Sequence, residues 1–281
     1  FGDIPIFVAF DSADAWSNQH LFQFDENGNP TVVAGVPPDY FSVTGQLWGN
    51  PLYNWQKMQE NNFSWWKERF AHSLKLYDLI RVDHFRGFAG YWAVPAGEPT
   101  AENGKWEKAL GMELFAELQQ KFGKMPIVAE DLGVITDDVI ALKERFDFPG
   151  MKILQFAFDG GEDNPYLPQN YEENCFAYTG THDNDTTLGW FNKLRRNQQK
   201  QVCDYLDCRE NEICRAMLEA IWQSRSDMAI APLQDWLELG SEARLNTPGT
   251  TGGNWQWRFA KEQISRDVIE RMQIMNQESK R

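Results

Sequence analysis

Short apolar runs alternate along the chain with stretches in which apolar residues recur every three or four positions. The runs are rich in β-branched and aromatic residues and are bounded by Gly, Pro, Asn or Asp, which is typical of buried strands. The periodic stretches predict helices because residues three and four apart share one helix face. Strands that alternate with helices in this way predict a parallel α/β fold. The predicted strands are 3–9, 79–85, 126–132, 151–158, 175–181 and 227–237, and the predicted helices are 63–77, 107–122, 136–146, several within 186–225, and 259–276.

Residues 10–62, between the first two predicted strands, follow neither pattern. They are rich in Gly, Pro, Asn and aromatic residues, as in the stretches GVPPDYF and WGNPLYNW. An irregular segment of this length in a compact domain is more often a binding loop than a simple connection. We therefore expect one domain, 1–281, in which 10–62 is a long substrate-binding loop insertion.

The composition narrows the classes of partner. The formal net charge is −14, so the surface would repel nucleic acid and anionic membranes, and neither is an expected partner. Aromatic residues make up 14% of the chain, with 12 Trp, which fits either a large core or sugar rings stacked on flat aromatic faces. The four Cys form no C-x-x-C pair and only four His occur, so no zinc site is predicted and the thiols are expected to be reduced.

Three carboxylates follow predicted strands: Asp83 in LIRVDHFRG, Glu130 in PIVAEDLG and Asp183 in FAYTGTHDND. In barrels of alternating strands and helices, active sites lie at the carboxyl ends of the strands. A carboxylate there is costly to desolvate unless it is paired or takes part in chemistry. Each acid alone is more often a helix cap or half of a surface ion pair. Three of them at strand ends favour an enzyme that works through carboxylates.

The neighbours of two acids suit cleavage of a glycosidic bond with retention, which needs a nucleophilic carboxylate and a second carboxyl that is protonated at rest. Arg81 lies two residues before Asp83 on the same strand face, where its guanidinium would keep Asp83 ionised and oriented. Glu130 follows an apolar run and precedes Asp131, so desolvation and a like charge would raise its pKa, as a general acid requires. A purely structural ion pair remains the alternative for Arg81.

The third acid lies in the stretch THDND. His182 and Asp183 could together grip sugar hydroxyls, and a third carboxylate could stabilise the positive charge of an oxocarbenium-like transition state. The alternative is that Asp183 or Asp185 caps the helix predicted to follow.

Longer motifs resemble the 4-α-glucanotransferases, which are also called amylomaltases or disproportionating enzymes. Around the acids, the motifs are RVDHFRGFAGYW at 81–92, AEDLGVIT at 129–136, MKILQFAFD at 151–159 and YTGTHDNDTTLGW at 178–190. Elsewhere they are GDIPIFVAFDSADAW at 2–16, VAGVPPDYFSVTGQLWGNPLYNW at 33–55 and SEARLNTPGTTGGNWQWR at 241–258. The resemblance covers essentially the whole chain, and motifs of this length are highly specific.

The resemblance implies a (β/α)8 TIM barrel of the α-amylase type. It implies transfer of α-1,4-glucan segments to the 4-hydroxyl of an acceptor sugar through a covalent glycosyl-enzyme. By position, Asp83 would be the nucleophile, Glu130 the acid/base and Asp183 the transition-state stabiliser. No cofactor and no metal are implied, because this chemistry uses carboxylates alone. The implied substrate contacts are Asp3, Trp48, Arg81, His84, Phe156, His182 and Asn254, whereas for Trp255 and Trp257 we expect core packing.

Members of the family carry two barrel strands before the segment that matches Gly2. We therefore expect only about six of the eight barrel strands in this chain, with the N-terminal strands missing or supplied by another segment. The expected partners are an α-1,4-glucan or maltooligosaccharide donor and an acceptor sugar. The expected compartment is the cytoplasm, with the plastid stroma as the alternative. Two other functions stay open: a glycoside hydrolase of the α-amylase type, and an inactive truncated chain that only binds glucan.

Overall fold

The structure is a computed structural model that describes residues 1–38 and 42–281. Residues 39–41, within the motif at 33–55, lie outside the described residues. In the described ranges the strands are β1 Gly2–Ile4, β2 Val32–Val36, β3 Gln46–Pro51, β4 Ile80–Val82, β5 Gly90–Pro95, β6 Lys105–Lys108, β7 Ile127–Ala129, β8 Gly150–Ile153, β9 Cys175–Tyr178 and β10 Met228–Ile230. The α-helices there are α1 Ala13–Ser17, α2 Trp55–Glu60, α3 Ser64–Leu76, α4 Gly111–Phe122, α5 Asp137–Arg145, α6 Thr187–Lys193, α7 Arg196–Leu206, α8 Ile213–Trp222, α9 Leu233–Trp236 and α10 Arg266–Ser279.

The chain forms two compact units, and the first, Phe1–Gly150, contains a parallel sheet of order β1-β4-β7. Its register places Asp3 beside Arg81, and Arg81 beside Val128. The neighbouring row is apolar and buried, which leaves the alternate row free to carry polar side chains. Strands β4 and β7 lie inside their predicted segments and β1 begins one residue before its own, and all three are shorter than predicted.

The first unit also contains an antiparallel sheet of order β3-β2-β5-β6, which the sequence did not predict. Its strand β2 pairs with β3 on one side and with β5 on the other. The expectation that 10–62 is irregular is therefore wrong for β2, β3 and the helices α1 and α2. The local pattern could not reveal this sheet, because β2 finds its second partner about sixty residues further along the chain.

Aromatic side chains dominate the core of the first unit. Helix α3 buries Trp66 and helix α4 buries Phe115, and the ring centroids of both lie within 5.3 Å of that of Phe88. Phe85 stacks on Phe115 at 5.5 Å. Because Phe85 and Phe88 follow Asp83 directly in sequence, this packing fixes the chain just beyond that carboxylate.

The second unit, Met151–Arg281, contains the sheet of order β10-β9-β8, with helices α6, α7 and α8 contributing to its buried core. Two predicted strands are too long here. The segment 151–158 continues as a 3-10 helix, Leu154–Asp159, and 227–237 ends in helix α9. Both stretches are mostly apolar, and an apolar run alone does not distinguish a strand from a short buried helix.

The parallel strands in the described ranges thus form two three-stranded sheets rather than a closed barrel. All four Cys have free thiols. In the part of the chain that the structure describes, no helix is both long enough and apolar enough to cross a membrane.

Candidate active site

Arg81 joins two carboxylates at the carboxyl end of the first parallel sheet. Its Nη2 lies 2.7 Å from Oδ2 of Asp3 and 2.9 Å from Oδ1 of Asp83, and its Nε donates to the same Asp3 oxygen at 3.1 Å. The Arg81 side chain is 12% exposed. Burial works against its charge, but the hydrogen bond to Asp3 and the charges of Asp83 and Asp3 keep the pKa of Arg81 above its usual value. A fixed cation of this kind holds both carboxylates in place.

Glu130 follows β7 and lies beside the chain that leaves β4. Its backbone N–H donates to the carbonyl of Val82 at 3.0 Å, and its own carbonyl accepts from the N–H of Phe85 at 3.1 Å. These two bonds continue the pairing of β4 with β7 past the ends of both strands. The position of the Glu130 backbone is therefore set by the sheet itself.

The side chain of Glu130 is held by two backbone N–H groups. His84 N–H donates to Oε2 at 2.7 Å, and Leu132 N–H donates to Oε1 at 3.0 Å. Burial and the negative charge of Asp83 nevertheless raise the pKa of Glu130 to about 8, against the opposing effects of the two N–H donors and Arg81. Glu130 is thus mostly protonated at neutral pH, as a resting general acid must be.

His84 adopts a left-handed backbone conformation, with φ of 46°, and precedes the 3-10 helix Phe85–Phe88. Its ring contacts the ring of Trp48 edge-on, with centroids 4.8 Å apart. Burial, and to a smaller extent the charge of Arg86, lower the pKa of His84 to about 4. The imidazole is therefore neutral at physiological pH and can exchange hydrogen bonds with sugar hydroxyls without adding charge.

Trp48 lies on β3 of the antiparallel sheet and remains 39% exposed. Its Nε1–H donates to Oε1 of Gln46 at 3.1 Å, and its ring lies 6.4 Å from that of Phe7. The structure thus brings together Asp3, Trp48, Arg81, Asp83, His84 and Glu130 within the first unit.

In the second unit, Asp183 follows β9 and accepts hydrogen bonds from the segment after α9. Asn246 Nδ2 donates to Oδ1 of Asp183 at 2.6 Å, and Arg244 Nη2 donates to the backbone carbonyl of Asp183 at 2.6 Å. His182 Nε2 lies 3.4 Å from Oδ2 of Asp183. Both the backbone and the carboxylate of this residue are fixed from one segment.

The helix-cap alternative for Asp183 and Asp185 is wrong. The N-cap of α6 is Thr186, whose Oγ1 accepts from the N–H of Gly189 at 3.0 Å. Asp185 instead accepts a hydrogen bond from Ser241 at 2.7 Å. Asp183 is therefore available for a role other than helix capping.

A buried acid supports the base of the segment that carries His182 and Asp183. Asp235 is 1% exposed and accepts from Thr179 Oγ1 at 2.6 Å, from Thr187 N–H at 2.8 Å and from Thr187 Oγ1 at 2.9 Å. Desolvation raises the pKa of Asp235 despite these donors. The bonds tie both ends of the segment to α9.

The two remaining predicted contacts, Asn254 and Phe156, also lie in the second unit. Asn254 Oδ1 accepts from Thr247 N–H at 3.0 Å, and its Nδ2 donates to the carbonyl of Thr250 at 3.1 Å, so this amide closes its own loop. Phe156 is partly exposed on the 3-10 helix after β8 and meets Tyr166 edge-on.

The expectation of core packing is wrong for Trp255, which is largely exposed. Its ring lies 5.3 Å from that of His182. Trp257 is partly buried and stacks on Phe259 at 6.0 Å.

The sequence alone did not predict a role for Arg244, Asn246 or Asp235. They act through hydrogen bonds to residues between 48 and 63 positions away, and no local pattern announces such partners. The motif at 241–258 contained the only signal for the first two. Within 1–38 and 42–281, no group of three or more His, Cys, Asp and Glu is arranged to hold a metal ion.

Comparison with known proteins places these residues in a family. Residues 1–263 match the family described as 4-alpha-glucanotransferase. The chain belongs to this family. A 4-alpha-glucanotransferase of Synechocystis is 53% identical, covering 94% of this chain and 53% of the relative, and that of Thermus thermophilus is 49% identical, covering 100% and 58%. A chloroplastic/amyloplastic 4-alpha-glucanotransferase of Solanum tuberosum is 50% identical, covering 92% and 45%.

Solved structures agree with this assignment. The amylomaltase from Streptococcus agalactiae in complex with acarbose aligns with a TM-score of 0.95 at 41% identity, covering 100% of this chain and 57% of that one. The amylomaltase from Corynebacterium glutamicum, at 19% identity and a TM-score of 0.80, covers 97% and 45% and shares the fold. The chain thus has a TIM-barrel-like α/β fold and spans about half the length of the curated relatives it matches.

Proposed function

We propose that this chain carries the catalytic groups of a retaining 4-α-glucanotransferase, which moves α-1,4-glucan segments to the 4-hydroxyl of an acceptor sugar. The observation that carries the proposal is the pairing of Asp83, bound to Arg81, with Glu130, whose pKa is raised to about 8. Retaining transfer needs this division between an ionised and a protonated carboxyl group. The names of the relatives support the same chemistry.

Two displacements complete the proposed reaction. Asp83 attacks the anomeric carbon while Glu130 gives its proton to the oxygen of the departing glucan, which leaves a glycosyl ester on Asp83. Glu130, now ionised, takes the proton of the acceptor 4-hydroxyl as that oxygen displaces Asp83. Asp183 is the proposed stabiliser of the positive charge in both transition states, and Arg81 orients the nucleophile.

The proposed substrate contacts follow from exposure and hydrogen-bonding capacity. Trp48 presents a partly exposed ring, and neutral His84 beside it can bond to hydroxyls. Binding of acarbose to the Streptococcus agalactiae amylomaltase supports a glucan donor and a sugar acceptor as partners here. Nucleic acid and membranes are not proposed, given the net charge of −14. The full set is Asp3, Trp48, Arg81, His84, Phe156, His182 and Asn254.

Transfer rather than hydrolysis requires that an acceptor sugar reach the glycosyl ester before water does. We propose that the segments 10–62 and 246–257 bind glucan and exclude water. A hydrolase and an inactive glucan-binding fragment are less well supported, because the named relatives are glucanotransferases and all three acids are present.

The complete architecture is also a proposal. We propose that 1–281 contributes about six strands of an eight-stranded catalytic barrel, and that a segment like the first two strands of the family completes it. A cytoplasmic compartment is proposed, and the plastid stroma is the alternative that the Solanum tuberosum relative suggests.

The test is the product pattern from maltotriose. The purified protein should release glucose and build maltooligosaccharides longer than maltotriose, whereas glucose and maltose without longer products would identify a hydrolase. Asp83→Ala and Glu130→Gln should each abolish transfer while the fold is retained. Glu210→Gln, at an exposed position paired with Arg196 and outside the segments proposed to bind glucan, is the matched control and should transfer normally. Wild-type transfer by either catalytic variant would refute the assigned roles.

A further inference from the structure

The backbone at Trp255 adopts a conformation that is costly for a bulky residue and that no helix end explains. Non-glycine residues with positive φ are uncommon, and a bulky one is an outlier. In the described ranges, the others lie within two residues of a helix end, where a left-handed residue terminates or begins the helix. Trp255, with φ of 61°, lies instead in a turn between the 3-10 helices Ser241–Ala243 and Lys261–Gln263. The other non-glycine residues with positive φ are Asn62, Phe63, His84, Asp147, Asp207, Glu238 and Lys280.

Hydrogen bonds fix this backbone conformation from both sides. The N–H of Trp255 donates to the carbonyl of Leu245 at 2.6 Å, and its carbonyl accepts from Nη1 of Arg258 at 2.9 Å. The preceding loop is closed by Asn254 through Thr247. The conformation is thus imposed by its neighbours, and the side chain gains no burial from it.

The strained backbone presents the Trp255 ring to solvent beside the proposed substrate contacts. The residue is 53% exposed, and one part of its ring packs on His182 with an interplanar angle of 36°. His182 in turn lies against the carboxylate of Asp183. Strain that persists without a gain in packing is typical of functional positions.

We propose that Trp255 is a sugar-stacking residue, whose ring binds the apolar face of a glucosyl unit next to His182 and Asp183. A pyranose ring presents C–H groups on its face, and a flat aromatic ring packs against them while the hydroxyls stay solvated or bonded. The partly exposed imidazole of His182 supplies a polar group at the edge of the same surface. The inference rests on the proposed function for the identity of the ligand, an α-1,4-linked glucan.

Two substitutions separate a binding role from a structural one. Trp255→Asn removes the ring but suits a left-handed backbone, since Asn adopts positive φ more readily than Trp. Trp255→Phe keeps an aromatic face. Tyr205→Ala is the control, because Tyr205 on α7 of the same unit is also an exposed aromatic residue, at 40%, outside the segments proposed to bind glucan.

Binding is measured with maltoheptaose by calorimetry in a Glu130→Gln background, which prevents turnover, and KM for maltotriose is measured with Glu130 intact. Trp255→Asn should weaken binding and raise KM about tenfold, which corresponds to roughly 1.4 kcal/mol, with kcat much less affected. Trp255→Phe should recover most of the loss, and Tyr205→Ala should match the parent. The melting temperature of Trp255→Asn should equal or exceed that of the parent, because the strain is relieved.

Each outcome decides the question. Unchanged glucan binding in Trp255→Asn overturns the inference, whether or not stability changes, and equal losses in the Asn and Phe variants overturn it too. If Trp255→Asn transfers glucan with the wild-type KM, the proposed function stands and the inference about Trp255 fails. If glucan binding depends on Trp255 but the protein has no transferase activity, the inference stands and the proposed function fails. A parent protein that binds no maltoheptaose would refute the inference as well.

Discussion

The acid–base behaviour of Glu130 depends on its neighbour Asp83. Two backbone N–H groups favour the ionised form of Glu130, but burial and the charge of Asp83 outweigh them. In the proposed glycosyl-enzyme, Asp83 is esterified and carries no charge. One of the two causes that raise the pKa of Glu130 is then gone, so Glu130 becomes a better-matched base for the second half of the reaction.

The first prediction concerns this dependence. Transfer should decline as the pH rises through about 8, because Glu130 loses the proton it must donate. In Asp83→Asn, the pKa of Glu130 should fall, because the negative neighbour has been removed. Carbon-13 NMR of labelled Glu side chains measures both values, and exposed Glu60 serves as the internal reference. An unchanged Glu130 pKa in the variant would contradict the account.

The second prediction concerns the grip on Asp183. Asn246→Ala removes a donor to its carboxylate and should lower kcat for transfer from maltotriose by about ten- to a hundredfold, since hydrogen bonds to charged groups contribute roughly 1.5–3 kcal/mol. Asn246→Asp should be worse, because two carboxylates would then meet. Asn103→Ala, which breaks a comparable exposed bond to Glu98, should leave the kinetics unchanged. Equal kinetics for Asn246→Ala and wild type would exclude this role.

At the scale of elements, a buried ion pair holds α5 against the turn after β7. Lys143 Nζ lies 2.9 Å from Oδ2 of Asp131, and both side chains are at most 10% exposed. Gly150 allows this arrangement, because a side-chain carbon there would overlap the Asp131 carboxylate. Since Asp131 directly follows Glu130, the pair also fixes the chain at the proposed general acid.

The third prediction is that Lys143→Met lowers the free energy of unfolding by about 3–5 kcal/mol, because it leaves the Asp131 carboxylate buried without this ammonium group. The exposed pair of Lys124 and Asp147 provides the control, and Lys124→Met should change the free energy of unfolding far less, because solvent screens that pair. Urea unfolding measures both. Similar values for the two variants would show that the buried pair has no special weight.

Sequence patterns predicted the positions of the elements more accurately than their lengths. Apolar runs marked the parallel strands because those strands are buried on both faces, as in IVA of β7. The run MKILQFAF misled because Leu154 onwards is apolar but helical. The acids could be predicted because they follow strands directly. Asn246 and Asp235 could not, because their roles exist only through contacts made by folding.

For the whole molecule, two groups in the first unit link stability to pH in opposite directions. The raised pKa of Glu130 means that its contribution to stability is fully present below about 4.5 and is lost as the pH rises through about 8. The lowered pKa of His84 means that its contribution is present above about 6.5 and is lost as the pH falls through about 4.

The fourth prediction follows from the raised pKa of Glu130. Glu130→Gln should stabilise the protein relative to wild type at pH 9 more than at pH 5, since the variant has no carboxylate to ionise in a buried position. Thermal unfolding at a series of pH values gives the difference, and Glu60→Gln should show no such trend. A difference that does not change with pH would mean that Glu130 ionises as easily in the folded chain as in the unfolded one.

In its left-handed conformation, His84 makes one contact through its backbone and another through its side chain. Its backbone N–H donates to Glu130, the proposed general acid, and its ring contacts Trp48. The amide belongs to the main chain, so any side chain that tolerates this turn, such as that of Asn, would preserve the bond to Glu130. Sugar preference could therefore drift at this position over evolution, or be redesigned, while the machinery for moving the proton is inherited unchanged.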